Sequence, residues 1–174
     1  MTSADLLVDA FGRIREVVEE AVLGLTAGQL AFRPGPGANS IAWLVWHLTR
    51  IQDDHIAGVA QVEQVWTADG WAERFGLPFG SRATGYGHGS DEVAAVRVDS
   101  GELLMAYYDA VHERTTRFVA GLTDEDLPRI VDKGWDPPVT LGVRLVSVIS
   151  DDLQHAGQAM FIRGMIERGV ADGA

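Results

Sequence analysis

The sequence predicts an all-α fold, a four-helix bundle, on three observations. Four segments carry apolar residues at three- and four-residue steps over helical lengths. Connectors rich in glycine and proline separate them. No two segments alternate in the way that reads as a convincing strand pair.

The first helix is predicted from Ser3 to about Leu25, with Ser3 as its N-cap and Asp5 in the first turn. Leu7, Phe11, Ile14, Val18, Ala21, Val22 and Leu25 form its buried stripe. Pro34, Gly35 and Pro36 then break the chain. The second helix is capped by Asn39 or Ser40 and runs from Ile41 to about Val59, apolar nearly all round in its first half. Between Ala60 and Ser90 the periodicity dissolves into glycines and aromatic residues, with a short helix expected around Asp69–Phe75. A connection that long is functional or disordered, and its aromatics predict a packed cover over the mouth of a site. The third helix fits Ser100 to about Gly121, a natural C′ residue. Thr123–Asp126 reads as a capping box opening one helical turn. Pro128–Val139, holding the Pro137-Pro138 pair, is a connector with room for an extended stretch at Arg129–Val131. The fourth helix runs from about Thr140 to Arg168.

The 174 residues suit one domain spanning 1–174. A net charge of −11 argues against nucleic acid and against an anionic membrane surface as partners. No apolar run is long enough to span a bilayer. Met1–Ala10 has two aspartates and no basic stretch, so no signal peptide is expected. The chain has no cysteine, which excludes disulfides, thiolate metal sites and a cysteine nucleophile of its own. These features together predict a cytoplasmic protein.

The chemistry-bearing pattern is Asp151-Asp152-Leu153-Gln154-His155 in the fourth helix. Residues four apart stack on one helical face, so Asp151 and His155 point the same way and can supply two ligands to a divalent cation. A polar strip of Ser147, Asp151, His155 and Gln158 is expected beside a core stripe of Leu145, Ile149, Leu153 and Met160. His47, between Trp43 and Ile51 on the second helix, is the third candidate ligand. A His, His and carboxylate set suits Zn²⁺, Ni²⁺, Fe²⁺ or Mn²⁺ and leaves positions open for water or substrate, as a catalytic site requires. Each part has a plainer reading: Asp-x-x-x-His is usually a surface pair, and a lone histidine in an apolar helix usually donates to a backbone carbonyl. Of the other histidines, His55 is expected at the core edge, His88 in solvent and His112 at the surface. Trp43 and Trp46 read as packing residues, while Trp66, Trp71 and Trp135 fit pocket lining or satellite packing equally well.

Asn39-Ser40-Ile41-Ala42-Trp43-Leu44-Val45-Trp46-His47-Leu48 and Asp151-x-x-x-His155-Ala156-Gly157-Gln158 resemble the DinB/YfiT-like superfamily of metalloenzymes. The resemblance covers essentially the whole chain and is closest to the branch of mycothiol-dependent enzymes and their actinobacterial relatives. It implies a four-helix bundle in up-down-down-up order, with a long connection between helices two and three. It also implies a divalent metal, Zn²⁺ or Ni²⁺, held by His47, Asp151 and His155. The superfamily usually places histidine where this chain has Asp151; some relatives carry glutamate there. The function so implied is a metal-dependent S-transferase or isomerase using mycothiol as thiol cosubstrate on a small molecule. Arg82 and Arg144 are candidates to hold an acidic group, and a homodimer is expected. The alternative is a non-catalytic stress-response or dimerisation bundle whose polar strip is structural or whose metal site is lost.

Overall fold

The computed structural model describes residues 1–169. The last residues of the 1–174 span expected for the domain, 170–174, therefore lie outside the described residues.

The chain is mostly helical. Helix α1 (Ser3–Val22) is followed by the single turn α2 (Ala27–Leu30) and by α3 (Ile41–Ala60). Three short helices, α4 (Val65–Ala68), α5 (Trp71–Phe75) and α6 (Ser90–Ala95), interrupt the long connection to α7 (Gly101–Ala120). Two strands, β1 (Ile130–Asp132) and β2 (Val139–Thr140), precede α8 (Leu141–Glu167). Among the four long helices, α3 and α1 each pack on both α7 and α8, and touch one another little.

The helix starts follow from local capping. Thr2, not Ser3, caps α1: its hydroxyl accepts from Asp5 N at 3.1 Å, and its own N donates to Asp5 Oδ2 at 2.8 Å. The same reciprocal pattern joins Thr26 and Gln29 at α2. At Thr123 both N and Oγ1 donate to Asp126 Oδ2 at 2.8 Å, but a turn follows where one helical turn was expected. Ser40 and Thr140 cap α3 and α8 through Trp43 N and Val143 N.

A strand pair is present, contrary to expectation. β1 and β2 are antiparallel, pairing Ile130 with Thr140 and Asp132 with Val139. Strands of three and two residues are too short to display alternation, and Pro137-Pro138 masked the second of them. Their role is to seat the start of α8, where Leu141 N and Gly142 N donate to the carbonyls of Arg129 and Leu127.

The long connection is tied to the long helices by buried polar groups. Asp53 is 2 % exposed and accepts from Val65 N, Trp66 N and Tyr107 Oη at 2.8–2.9 Å. It thereby fixes the start of α4 to α3 and α7. Fully buried Arg50 donates from Nε to the carbonyl of Ala83 at 3.1 Å. Trp66 and Trp71 are buried in this packing, whereas Trp135 is 68 % exposed.

The core stripe of α8 differs from the expected one. Leu141, Leu145, Val148, Asp152, Ala156, Ala159, Ile162 and Ile166 are buried; Ile149 and Met160 are half-buried, and Leu153 is 49 % exposed. The buried positions keep three- and four-residue steps only if an aspartate is counted among them, so hydropathy displaced the stripe by one residue. Asp152 has no exposed surface, and neither carboxylate oxygen has a hydrogen-bond partner. Burial, then the charge of Asp151, pushes its pKa well above the ordinary carboxylate value. A carboxyl whose folded pKa is raised binds its proton more tightly in the folded state. Its unfavourable contribution is absent below the unfolded value and grows as pH rises toward the folded one. Asp152→Asn, which cannot ionise but keeps the shape of the side chain, is therefore expected to be more stable than wild type at neutral pH. Melts at mildly acidic and neutral pH check this: the gain over wild type should shrink on acidification.

Candidate metal centre

His47 on α3 and Asp151 and His155 on α8 meet where these two helices pack. One potential ligand atom from each lies within 4.8 Å of the others, and among the described residues this is the group that could hold a metal ion. The imidazoles of His47 and His155 stand edge to face, 4.7 Å between centroids. Trp43, one turn before His47, stacks on His47 at 4.5 Å and lies 6.2 Å from the His155 ring. His47 is buried; Asp151 and His155 are half-buried, so the centre opens toward the α8 side.

Each histidine has one nitrogen committed to a carbonyl. His47 Nδ1 lies 2.5 Å from the carbonyl of Thr84, and His155 Nδ1 lies 2.8 Å from the carbonyl of Asp151, one turn back. A carbonyl can only accept, so both Nδ1 atoms carry the hydrogen and each Nε2 keeps its lone pair. That outer hydrogen bond is the usual way a metal-ligating imidazole is oriented. Asp151 Oδ2 lies 3.3 Å from His155 Nδ1, yet that proton is spent on the backbone carbonyl, and the oxygen is buried without a hydrogen-bond partner. A buried, unpartnered carboxylate oxygen and two imidazoles with ligand atoms within 4.8 Å of one another form a donor set that fits a divalent cation.

The electrostatics agree. Burial pulls the His47 pKa below the ordinary value, with the nearby His155 adding to it. Burial opposes ionisation of Asp151, but the His155 imidazole beside it, with smaller charge contributions from His47 and His55, outweighs this and holds the carboxyl below the ordinary value. Burial also pulls His155 down, and the Asp151 contacts outweigh that and raise it.

The long connection covers the centre from the α3 side. Gly85, with φ +93°, lies so close that a Cβ there would be 2.7 Å from His47 Nδ1 and 3.1–3.2 Å from Trp46 and Trp43. His88 is not in solvent as expected: its Nδ1 accepts from Trp43 Nε1 at 3.2 Å, and its ring stacks on Trp46 at 5.8 Å. The sequence flags this glycine run only as lacking the strand and helix that flank a phosphate loop. His112 is half-buried against Tyr108, with its Nδ1 buried and unpaired, and is not the surface residue expected. His55 lies at the core edge as expected, half-buried and close enough to Asp151 for their charges to interact.

Of the two arginine candidates, Arg144 donates to Asp132 Oδ2 at 2.9 Å, and its Nη1 lies 3.2 Å from His55 Nδ1. An arginine nitrogen only donates, so His55 Nδ1 accepts there. These residues, with Asp54, line a polar pocket of about 360 Å³. Arg82 is exposed on the covering segment.

Among known proteins, a family model described as mycothiol-S-transferase matches residues 6–168. A crystal structure described as the conserved protein of a locus from Enterococcus faecalis is 32% identical, with a TM-score of 0.88. That match covers 94% of this chain and 96% of the other. Among curated proteins there is no significant match.

Proposed function

From the premise that the chain belongs to the mycothiol-S-transferase family, within the DinB/YfiT-like superfamily, we propose that it is a divalent-metal-dependent S-transferase with the metal held by His47, Asp151 and His155. The observation that carries this reading is the convergence of one ligand atom each from His47, Asp151 and His155 to within 4.8 Å of one another, with Asp151 Oδ2 buried and without a hydrogen-bond partner. When bound, a Zn²⁺ or Ni²⁺ ion supplies Lewis acidity that lowers the pKa of a thiol or water beside it. The chain has no cysteine, so the nucleophilic sulfur comes from the cosubstrate, mycothiol. The residues of the chain do the rest. Thr84 and Asp151 hold the two imidazoles by their carbonyls, Asp151 contributes a negative charge, and Trp43 with the Thr84–His88 segment excludes water from the α3 side. The polar pocket at Arg144 and the exposed Arg82 are the candidate positions for polar or acidic groups of cosubstrate and substrate; an isomerase would use the same thiol chemistry.

The long helices fit the superfamily's up-down-down-up bundle, with the connection between α3 and α7 as the long one. One domain over 1–174, a cytoplasmic location and a homodimer complete the reading. No helix among the described residues is long and apolar enough to cross a membrane.

Conjugation of mycothiol to a small electrophile, measured on chelator-treated protein with and without Zn²⁺ or Ni²⁺, tests the proposal. Activity is expected only with metal. Equal activity after exhaustive chelation, or none with any divalent ion, would contradict it.

The pH dependence of metal binding is a separate expectation. Ligation needs neutral imidazoles, so protons compete with the metal. The raised His155 titrates first on acidification, above the ordinary 6.5, and the lowered His47 only at more acidic pH. Affinity should thus fall about tenfold per pH unit below the His155 pKa, as release of one proton requires. Zn²⁺ titrations at several pH values measure that slope, and a flat profile through neutrality would count against His155 as a ligand.

A further inference from the structure

The polar pocket of about 360 Å³ at Asp54, His55, Asp132 and Arg144 lies on the seam between α3 and α8. Its volume falls among those of small-molecule sites, about 300–1,000 Å³. Helix periodicity places it beside the metal centre. Asp54 follows His47 by seven residues on α3, and Arg144 precedes Asp151 by seven on α8. Seven residues make two helical turns to within about 20°, so each pair shares a face. The pocket therefore continues the seam that holds His47, Asp151 and His155, roughly 10 Å along at 1.5 Å per residue. His55 and Asp151 are close enough for their charges to interact.

The polar groups of the pocket are tied into the fold. Asp54 Oδ1 accepts from Gln64 Nε2 at 2.6 Å, and Gln64 Oε1 accepts from buried Arg50 at 2.8 Å. Strand β1 delivers Asp132, whose Oδ1 accepts from Gly134 N at 2.8 Å and whose Oδ2 accepts from Arg144 at 2.9 Å. The Arg144 guanidinium is thus already engaged, with Asp132 through one nitrogen and His55 Nδ1 through another. Its charge is matched by Asp132, which leaves no spare cation for an acidic ligand. Burial, then the charge of Arg144, pulls the His55 pKa below its ordinary value, so the ring is neutral. With Nδ1 accepting from Arg144, the ring hydrogen sits on Nε2. The lining therefore sets an imidazole donor beside two carboxylates and one guanidinium, with a net negative charge. A carboxylate or phosphate would be repelled by Asp54 and Asp132. An ammonium would leave the His55 donor unmatched. A hydroxyl both donates and accepts, so it matches the imidazole and the carboxylates at once.

We propose that this pocket holds an uncharged, hydroxyl-rich end of the thiol cosubstrate, whose sulfur reaches the metal centre two turns along the seam. The assignment rests on the S-transferase reading above and narrows it: the pocket takes hydroxyl groups, not acidic ones. Asp54, His55 and Asp132 then determine which thiol is used. Mycothiol has the required chemistry, a thiol joined to a polyhydroxylated sugar-like group. Glutathione, a thiol bearing two carboxylates, does not.

The test is kcat/KM of the metal-loaded full chain for mycothiol and for glutathione, each with the same small electrophile. Wild type is expected to favour mycothiol by about tenfold or more. Asp54→Asn keeps an oxygen for Gln64 and removes a charge from a side chain that is 43% exposed, so the fold should survive. It should raise the KM for mycothiol by about tenfold, the loss of one hydrogen bond to a charged group, rather than lower kcat. Asp132→Asn frees the charge of Arg144 and should move the preference toward glutathione by about tenfold. A purely structural role for these carboxylates would lower the melting temperature and leave the preference unchanged. Metal-dependent conjugation with that unchanged preference, or a wild type that takes glutathione as well as mycothiol, would overturn the assignment and leave the S-transferase reading standing. No conjugation of either thiol by wild type with any divalent ion would overturn both.

Discussion

Replacing His155 by alanine is expected to lower Zn²⁺ or Ni²⁺ affinity by more than about 100-fold, since loss of even an outer-shell partner costs 10–100-fold. His47→Ala should do the same. The His155 ring is held by the Asp151 carbonyl, and its removal leaves only one imidazole and one carboxylate in the group. The half-buried His155 leaves little void, so the metal-free melting temperature should change little. His47 is buried against Trp43 and Gly85, and its truncation should also cost stability. Calorimetric titration of the metal-free variants separates the two effects. Wild-type affinity in both would show that these residues are not ligands.

Gly85→Ala should be nearly as damaging, although Gly85 carries no functional group. Its φ of +93° strains any other residue, and the added Cβ would stand 2.7 Å from His47 Nδ1. Either the imidazole rotates or the segment lifts away, and in both cases the Thr84 carbonyl loses its hold on Nδ1. The expected result is a 10–100-fold loss of metal affinity, the usual effect of removing an outer-shell partner. Gly87→Ala is the control. Its φ is +77°, so the backbone strain is comparable, yet a Cβ there meets nothing within 4 Å. It should lower the melting temperature and leave metal affinity near wild type. Equal affinities in the two variants would remove Gly85 from the centre.

The contrast between these residues explains what the sequence could reveal. The long helices were legible because each carries an apolar stripe at helical spacing, and His47, Asp151 and His155 because they interrupt apolar surfaces at one-turn steps or within a family motif. Asp152 was hidden by the same logic, since a charged residue reads as exposed and the predicted stripe moved to Leu153, which is exposed. The β1–β2 pair was too short to show a period. Gly85, Thr84 and His88 act through backbone and long-range contacts, 37 residues apart for His47 and Thr84, and no local pattern encodes such a distance. Arg144 was read from its charge alone; its pairing with Asp132 depends on how the strands seat α8.

The most direct measurement is the thermal melt of chelator-stripped chain, alone and with Zn²⁺ or Ni²⁺ at about 100 times the dissociation constant. A ligand bound only by the native state then adds about 2.7 kcal/mol. For a chain of this size that is a rise in melting temperature of roughly 5–10 °C. The account predicts that rise in wild type, its loss in His47→Ala and His155→Ala, and one bound ion per chain. An unchanged melt at every metal concentration would contradict it.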